Sequence, residues 1–323
     1  MHRFLITVLL LFSVSVGQYV WAAPPKANAQ AKQNVPGEKK AKAPAAHKFV
    51  RVTKDKDGQL EALQTSIASY TMKDKAGNEV RVDLIGAVHV GEKSYYEALN
   101  KQFEKYDALL FELVAPEGTK IPKGGRDSGH PVGALQRGMK SMLKLEFQLE
   151  AVDYSKKNFV HADMTPDQFS KSMKDRGESF FKMFLRVIGH SITKGQPAGS
   201  VSEVEILLAL FDKNRALKLK RLMARQFDSM EVMMEAINGP NGSTILTERN
   251  KVAIKVLKKQ LAAGKKHVGV FYGAAHMPDM EKRLLTELKL KHTGDRWVSA
   301  WDLRGPAAVP AKKPAPKAKA VAP

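Results

Sequence analysis

From Phe49 to about Val82 apolar and polar positions alternate in short runs, broken at Asp57-Gly58 and Gly77-Asn78. Such dipeptides between alternating runs predict two hairpins leading into a long strand, Val80 to Ala87. The period then changes. Between Glu92 and Tyr106 the residues Tyr96, Leu99 and Phe103 recur at helical spacing, and Asp107 to Val114 returns to a nearly continuous apolar run. Strand, helix and strand in about 35 residues is a βαβ unit, and a second strand with so little polar character needs cover on both faces.

The segments Leu135 to Val152, Thr165 to Ile188 and Val201 to Ile237 carry apolar residues at spacings of three and four, with one short strand candidate at Asn158 to Ala162. Methionine is frequent there, from Met139 to Met234, and either lines an adaptable surface or fills gaps in a helical core. Asn238 to Ser243 breaks the pattern. A helix follows at Leu246 to Leu261, a strand at His267 to Ala274, a helix at Pro278 to Leu290 and a last strand at Trp297 to Leu303. These elements predict one α/β domain over 49–304 whose stretch 119–245 is a helical insertion or lid.

Composition changes the picture mainly at the ends. The 323 residues contain no cysteine, which excludes a disulfide scaffold, a cysteine-ligated metal and a cysteine nucleophile. The formal charge of +20 is unevenly spread. Residues 1–48 hold 7 basic and 1 acidic residue and residues 305–323 hold 4 and none, leaving 42 and 32 between them. That balance is ordinary for a basic domain and does not indicate specific nucleic-acid binding. Residues 1–22 pass from Arg3 through the apolar run Phe4 to Phe12 to small residues, with Val20 and Ala22 at the −3 and −1 positions of a secretory signal. The alternative is an uncleaved anchor; no later segment offers the apolar length of a second span. Residues 23–48 and 305–323 are Ala-, Pro- and Lys-rich and predict disordered tails suited to an anionic cell-envelope polymer. The expectation is a secreted or periplasmic, cell-envelope protein with no transmembrane span once the signal is removed.

Two stretches resemble each other, Asp83-Leu-Ile-Gly86-Ala-Val-His89 and Val270-Phe-Tyr-Gly273-Ala-Ala-His276. Each is an apolar strand ending in Gly-Ala-x-His before an amphipathic helix. A third Gly-x-x-His, Gly264 to His267, precedes a strand instead and reads as accidental. Ligands of open α/β sheets bind beyond the carboxyl ends of strands, so both histidines are expected on one rim. Glu112 in Ala-Leu-Leu-Phe-Glu-Leu-Val either meets a cation or marks the end of its strand, because an unpartnered carboxylate is costly in apolar surroundings. Two imidazoles and a carboxylate are a recurrent ligand set for a catalytic divalent ion, Zn, Mn, Co or Fe. Arg249 falls on the apolar stripe of its helix with Val252, Ala253 and Val256, and either clamps a substrate carboxylate or oxyanion or pairs with Glu112 or another buried acid. Asp163, after the strand candidate, either holds a histidine tautomer from behind or serves locally as a cap. HExxH, Walker, GxSxG and GxGxxG patterns are absent from the sequence.

The order Gly86-Ala-Val-His89, Leu109-Leu-Phe-Glu112, Glu248-Arg249-Asn250 and Gly273-Ala-Ala-His276-Met-Pro resembles the TraB/PrgY/GumN family, related to the Tiki proteins. The likeness covers chiefly residues 80–114 and 245–303. It implies a mixed central sheet built from two related βα halves. In the Tiki branch it implies a metal-dependent peptidase whose motif residues match His89, Glu112 and His276. The TraB branch implies interception of peptide pheromones, which does not require hydrolysis. Pro278-Asp279 departs from the small or glycine-rich turn of many relatives. The expected function is therefore an exported metal-dependent hydrolase acting on a peptide or protein substrate, with Glu112 and Arg249 as catalytic candidates; the alternative is a non-catalytic peptide-, haem- or metal-binding protein.

Overall fold

The two predicted hairpins are built on one device. In a computed structural model, which describes residues 47–122, 140, 142–194, 201–227, 234 and 236–305, Asp55 Oδ1 accepts hydrogen bonds from the backbone of Asp57 and Gln59, and Asp74 Oδ1 from Ala76 and Asn78. Gly58 and Gly77 follow with φ of +78° and +82°, a region that favours glycine. These turns join β1 (Val50–Lys54), β2 (Leu60–Lys73) and β3 (Glu79–Ala87) as antiparallel neighbours.

Beyond β3 the pairing becomes parallel. A two-residue strand β4 (Val90–Gly91) leads into α1 (Lys93–Phe103), which buries Tyr95, Tyr96, Leu99 and Phe103, and then β5 (Ala108–Phe111), every residue of which is buried. The remaining strands are β6 (Glu146–Phe147), β7 (Phe159–His161), β8 (His267–Gly273) and β9 (Lys291–Asp302). The sheet has seven strands in the order β1-β2-β3-β8-β5-β7, with β9 on β2 and β4-β6 forming a separate pair. All but Ser66 of the β2 residues that pair with β9 also pair with β1 or β3, so β9 occupies the opposite edge of β2. β3, β8, β5 and β7 are mutually parallel. The fold is therefore α/β with a mixed sheet.

Alternation along β8 separates two cores. Phe271 joins Ile85, Leu109 and Trp301 on one face, while Val268, Val270 and Tyr272 join Leu84, Leu110, Ile254 and Met280 on the other. Each such side chain taken fully from water stabilises the fold by about 1.5–3 kcal/mol, which fixes register where both faces are covered. At Gly269 an added Cβ would stand 2.6 Å from Leu109 Cδ1 and 3.0 Å from the ring of Tyr106, so close packing there requires glycine.

Several predicted elements are shorter or divided. β5 ends at Phe111, and Glu112 follows it, although its N–H still donates to Phe271 O at 3.3 Å. The helical reading of 135–152 gives way to Lys144 at φ 55°, β6 and the short helix α2 (Gln148–Ala151); residues 123–139 and 141 lie outside the described residues. Thr165 to Ile188 divides at Gly177, φ +59°, into α3 (Pro166–Asp175), with a Thr165–Gln168 capping box, and α4 (Phe180–Lys194). Val201 to Ile237 opens as α5 (Glu203–Leu210), capped by Ser202 and Glu205, and α6 (Arg215–Arg225), separated where Asp212 Oδ1 accepts from Asn214 N. Apolar period is blind to these local side-chain bonds. Met173 and Met183 are buried beside Ile237, Ile245 and Leu246, the gap-filling role. A π-helical turn, Thr244–Glu248, then runs directly into α7 (Arg249–Ala262), and α8 (Met277–Glu287) follows β8. β9 begins six residues before the predicted Trp297, because Lys291 to Arg296 is mostly exposed on both faces and carries no alternation. Among the described residues no helix is long and apolar enough to cross a membrane.

Candidate functional site at the carboxyl ends of the parallel strands

Four parallel strands end on one rim, and each hands on a polar side chain: His89 after β3, Glu112 after β5, Asp163 after β7 and His276 after β8. The two Gly-Ala-x-His stretches are out of step by one residue, for Gly86 pairs with Tyr272 and Gly273 with Ala87. The glycines consequently do different things. A Cβ on Gly86 would make ordinary contacts, with Ala274 Cβ at 3.4 Å and Ser66 O at 3.5 Å. A Cβ on Gly273 would stand 3.4 Å from Glu112 Oε2, 3.5 Å from His89 Nε2 and 3.8 Å from His276 Cδ2. Gly273 thus leaves open a space shared by the three side chains singled out in the sequence.

His276 closes a 3-10 turn, Ala274–His276, and is buried. Its Nδ1 lies 2.6 Å from Asn250 Oδ1, while Asn250 Nδ2 donates to Asp279 Oδ2 at 2.9 Å and to His276 O at 3.2 Å. Both partners of that Nδ2 are acceptors only, so the amide has one orientation and Nδ1 of His276 must carry the proton. Nε2 of the neutral ring is then a lone pair, 3.5 Å from Glu112 Oε1. Pro278 and Asp279 are compatible with this arrangement: Pro278 occupies the first turn of α8, and Asp279 holds Asn250 from behind.

His89 is partly buried and is tied in the same manner. β4 pairs with β6, which carries Gln148 alongside: Gln148 N donates to His89 O at 2.9 Å, and Gln148 Oε1 lies 3.2 Å from His89 Nδ1. Gln148 Nε2 donates to Tyr154 Oη at 3.0 Å. Both imidazoles therefore have Nδ1 on an amide oxygen; Nε2 of His89 lies toward the space beside Gly273, and Nε2 of His276 lies toward Glu112 Oε1.

Glu112 is held at each oxygen, Oε1 by Arg249 Nη2 and Oε2 by Gly273 N–H, both at 2.7 Å. Arg249, 2% exposed, also forks onto Asp163 through Nε at 2.9 Å and Nη2 at 2.5 Å, and its Nη1 reaches Ile245 O at 3.5 Å. Of the two roles open to Arg249 in the sequence, the ion pair is the one present, with two buried acids. Asp163 reaches the rim but holds this arginine and Met164 N instead of a histidine. Burial alone would raise the Glu112 carboxyl; the Arg249 guanidinium outweighs it and holds it well below its ordinary value. In Arg249 burial lowers the guanidinium, and Asp163 and Glu112 more than reverse this. Two carboxylates against one guanidinium leave one formal negative charge next to two imidazoles.

Two imidazoles, a carboxylate and an uncompensated negative charge are compatible with a divalent cation in donor type and charge. The spacing is more open than a closed metal site: the donors of His89, Glu112 and His276 do not all lie within 4.8 Å of one another, as those of His47, His292 and Asp295 do. Residues that sequence reasoning did not assign to the site are Gln148, Asn250 and Asp279. Asn250 carried a signal, since it follows Arg249 on the same inward helix turn; Gln148 carried none. Elsewhere, His161 Nε2 lies 2.6 Å from Leu113 O. His267, from the third Gly-x-x-His, starts β8 at the far end and faces Asp83 at 3.3 Å.

Comparison with protein-family models, with curated proteins and with solved structures gives no match.

Proposed function

We propose that the protein is a metal-dependent hydrolase of the peptidase class, with His89, Glu112 and His276 as the residues that hold a divalent ion. The observation that carries this reading is the shared tethering of the two imidazoles, Nδ1 on Gln148 or Asn250, with His89 Nε2 facing Gly273 and His276 Nε2 facing Glu112. Such an ion, when bound, supplies Lewis acidity and a water of lowered pKa. Asn250 fixes the His276 tautomer that leaves Nε2 unprotonated, and Gln148 positions the His89 ring. Arg249 is a positioning residue: its bonds to Asp163 and Glu112 aim the Glu112 carboxylate and keep it ionised. A carboxylate held so far down suits a ligand better than a general base, which needs a value near the working pH. The likeness of the Gly-Ala-x-His stretches to the TraB/PrgY/GumN family supports the same reading, and with it a second proposal, that β3-α1 and β8-α8 are related halves and residues 119–245 an insertion between them. The leader over residues 1–22 and the basic tails favour a cell-envelope location.

The test is dialysis of the purified chain against chelator, return of Zn²⁺, Mn²⁺, Co²⁺ or Fe²⁺, and incubation with a peptide library read by mass spectrometry. Cleavage that disappears and returns with metal, and is absent from a His89→Ala, His276→Ala variant, is the expected result. Unchanged cleavage in that variant overturns it. A second reading, capture of a peptide, haem or metal without turnover, is favoured by the two donors already on Glu112; saturable binding without product would select it.

A further inference from the structure

A second group of donors lies outside this rim, where the described chain begins. In β9 the residues His292 and Asp295 are three apart, so a regular strand would send them to opposite faces. The register against β2 slips between Ser69 and Tyr70: Ser69 pairs with Gly294 and Tyr70 with His292, leaving Thr293 as the extra residue, and Gly294 takes φ +152°. This bulge re-aims the strand and brings both side chains to one side, a use of bulges common beside functional sites. His47, which precedes β1, folds onto them. Its Nε2 lies 3.0 Å from Asp295 Oδ1, and His292 Nε2 lies 3.1 Å from the same oxygen.

The other nitrogen of His47 defines the tautomer. Nδ1 lies 2.7 Å from Glu281 Oε1, an oxygen that also accepts from the buried Tyr70 hydroxyl at 2.8 Å. A carboxylate offers no proton, so Nδ1 of a neutral ring must donate to it. Nε2 is then a lone pair pointed at a carboxylate oxygen, an arrangement that repels unless a cation lies between. A carboxylate behind one imidazole, two Nε2 atoms and a carboxylate oxygen in front is the ligand pattern of a zinc-class ion.

We propose that His47, His292 and Asp295 form a separate divalent-cation site for an imidazole-preferring ion of the Zn²⁺ class, with Glu281 orienting His47. Such a site fastens the segment just before β1 to β9 and α8. The inference is independent of the rim chemistry, and the experiment keeps the two apart. Metal-free full-length protein carrying His89→Ala and His276→Ala is titrated with Zn²⁺ by calorimetry and equilibrium dialysis. One saturable equivalent is expected, weakened at least tenfold by adding His292→Ala or Asp295→Asn and about 10- to 100-fold by Glu281→Gln. The side chains of His292 and Asp295 are partly solvent-exposed, and unchanged circular dichroism of each metal-free variant verifies that it is folded. In the unsubstituted protein, Zn²⁺ is expected to move the ¹⁵N resonances of the His47 and His292 rings, a readout that needs no variant. Absence of a saturable equivalent in the double-variant background overturns the proposal and leaves an extra proton on His47 as the resolution of the contact. Zn²⁺ binding indifferent to His292 and Asp295 overturns it as well.

Discussion

Asn250 Oδ1 lies 2.6 Å from His276 Nδ1, and this one contact determines which side of the imidazole is a lone pair. Asn250 is itself fixed by Asp279, so the tautomer is written into α7 and α8 and not into the histidine. Replacing Asn250 by Ala leaves a buried Nδ1 without its acceptor and is expected to destabilise the fold by about 1–3 kcal/mol. It should also weaken metal binding about 10- to 100-fold while leaving His276 in place. Urea denaturation and metal titration of the same variant measure the two effects separately.

The pairing of Arg249 with Asp163 and Glu112 predicts a larger stability effect. Arg249→Met leaves two buried carboxylates without their shared cation and is expected to cost about 3–5 kcal/mol. Adding Asp163→Asn should recover part of that loss, because it removes one of the stranded charges. Arg249→Lys is expected to behave more like the Met variant than like the native chain, since a point charge cannot reproduce the fork. Denaturation free energies of the single and double variants give the coupling; strict additivity would contradict the ion-pair account.

Glu112 predicts an acid-side pH dependence. Its carboxyl lies well below the ordinary 4.5, so the stabilisation is fully present above that value and is lost as pH falls through the folded one. Below about pH 4.5 the unfolding free energy of Glu112→Gln is expected to fall less steeply than that of the native chain. Asp83, also lowered, contributes in the same sense, so the slope should shrink without vanishing. Urea midpoints across an acid pH series provide the measurement.

Gly273→Ala separates folding from function. Gly273 has φ −51° and ψ 137°, which any residue adopts, and the new Cβ would make ordinary contacts beginning at 3.4 Å. Stability is expected to stay level or rise by up to about 1 kcal/mol. Metal affinity and cleavage should nevertheless fall sharply, because the methyl group fills the space between His89, Glu112 and His276. Thermal unfolding together with bound-metal analysis decides whether that space is functional.

The hairpins, β3, β8, α1, α7 and α8 were legible because turn dipeptides and apolar period act locally. The divided helices were not: Gly177 and Asp212 interrupt the chain without interrupting the period. His89, Glu112, Arg249 and His276 could be singled out because each is a polar residue at the end of an apolar run. Their supporting amides could not all be found in this way, since Gln148 is assigned only by the pairing of β4 with β6, two strands of two residues each. The group at His47, His292 and Asp295 depends on a bulge and on the approach of the segment before β1, neither of which leaves a trace in composition.

The strand order carries one more implication. β8 is made late in the chain yet lies between β3 and β5, which are made early. A chain truncated before residues 267–276 lacks the strand that lies between β3 and β5 and cannot bring His276 and Gly273 up to Glu112. Assembly of the rim therefore waits for the last parallel strand among the described residues, so that His89, Glu112 and His276 meet only after residue 276 has been made.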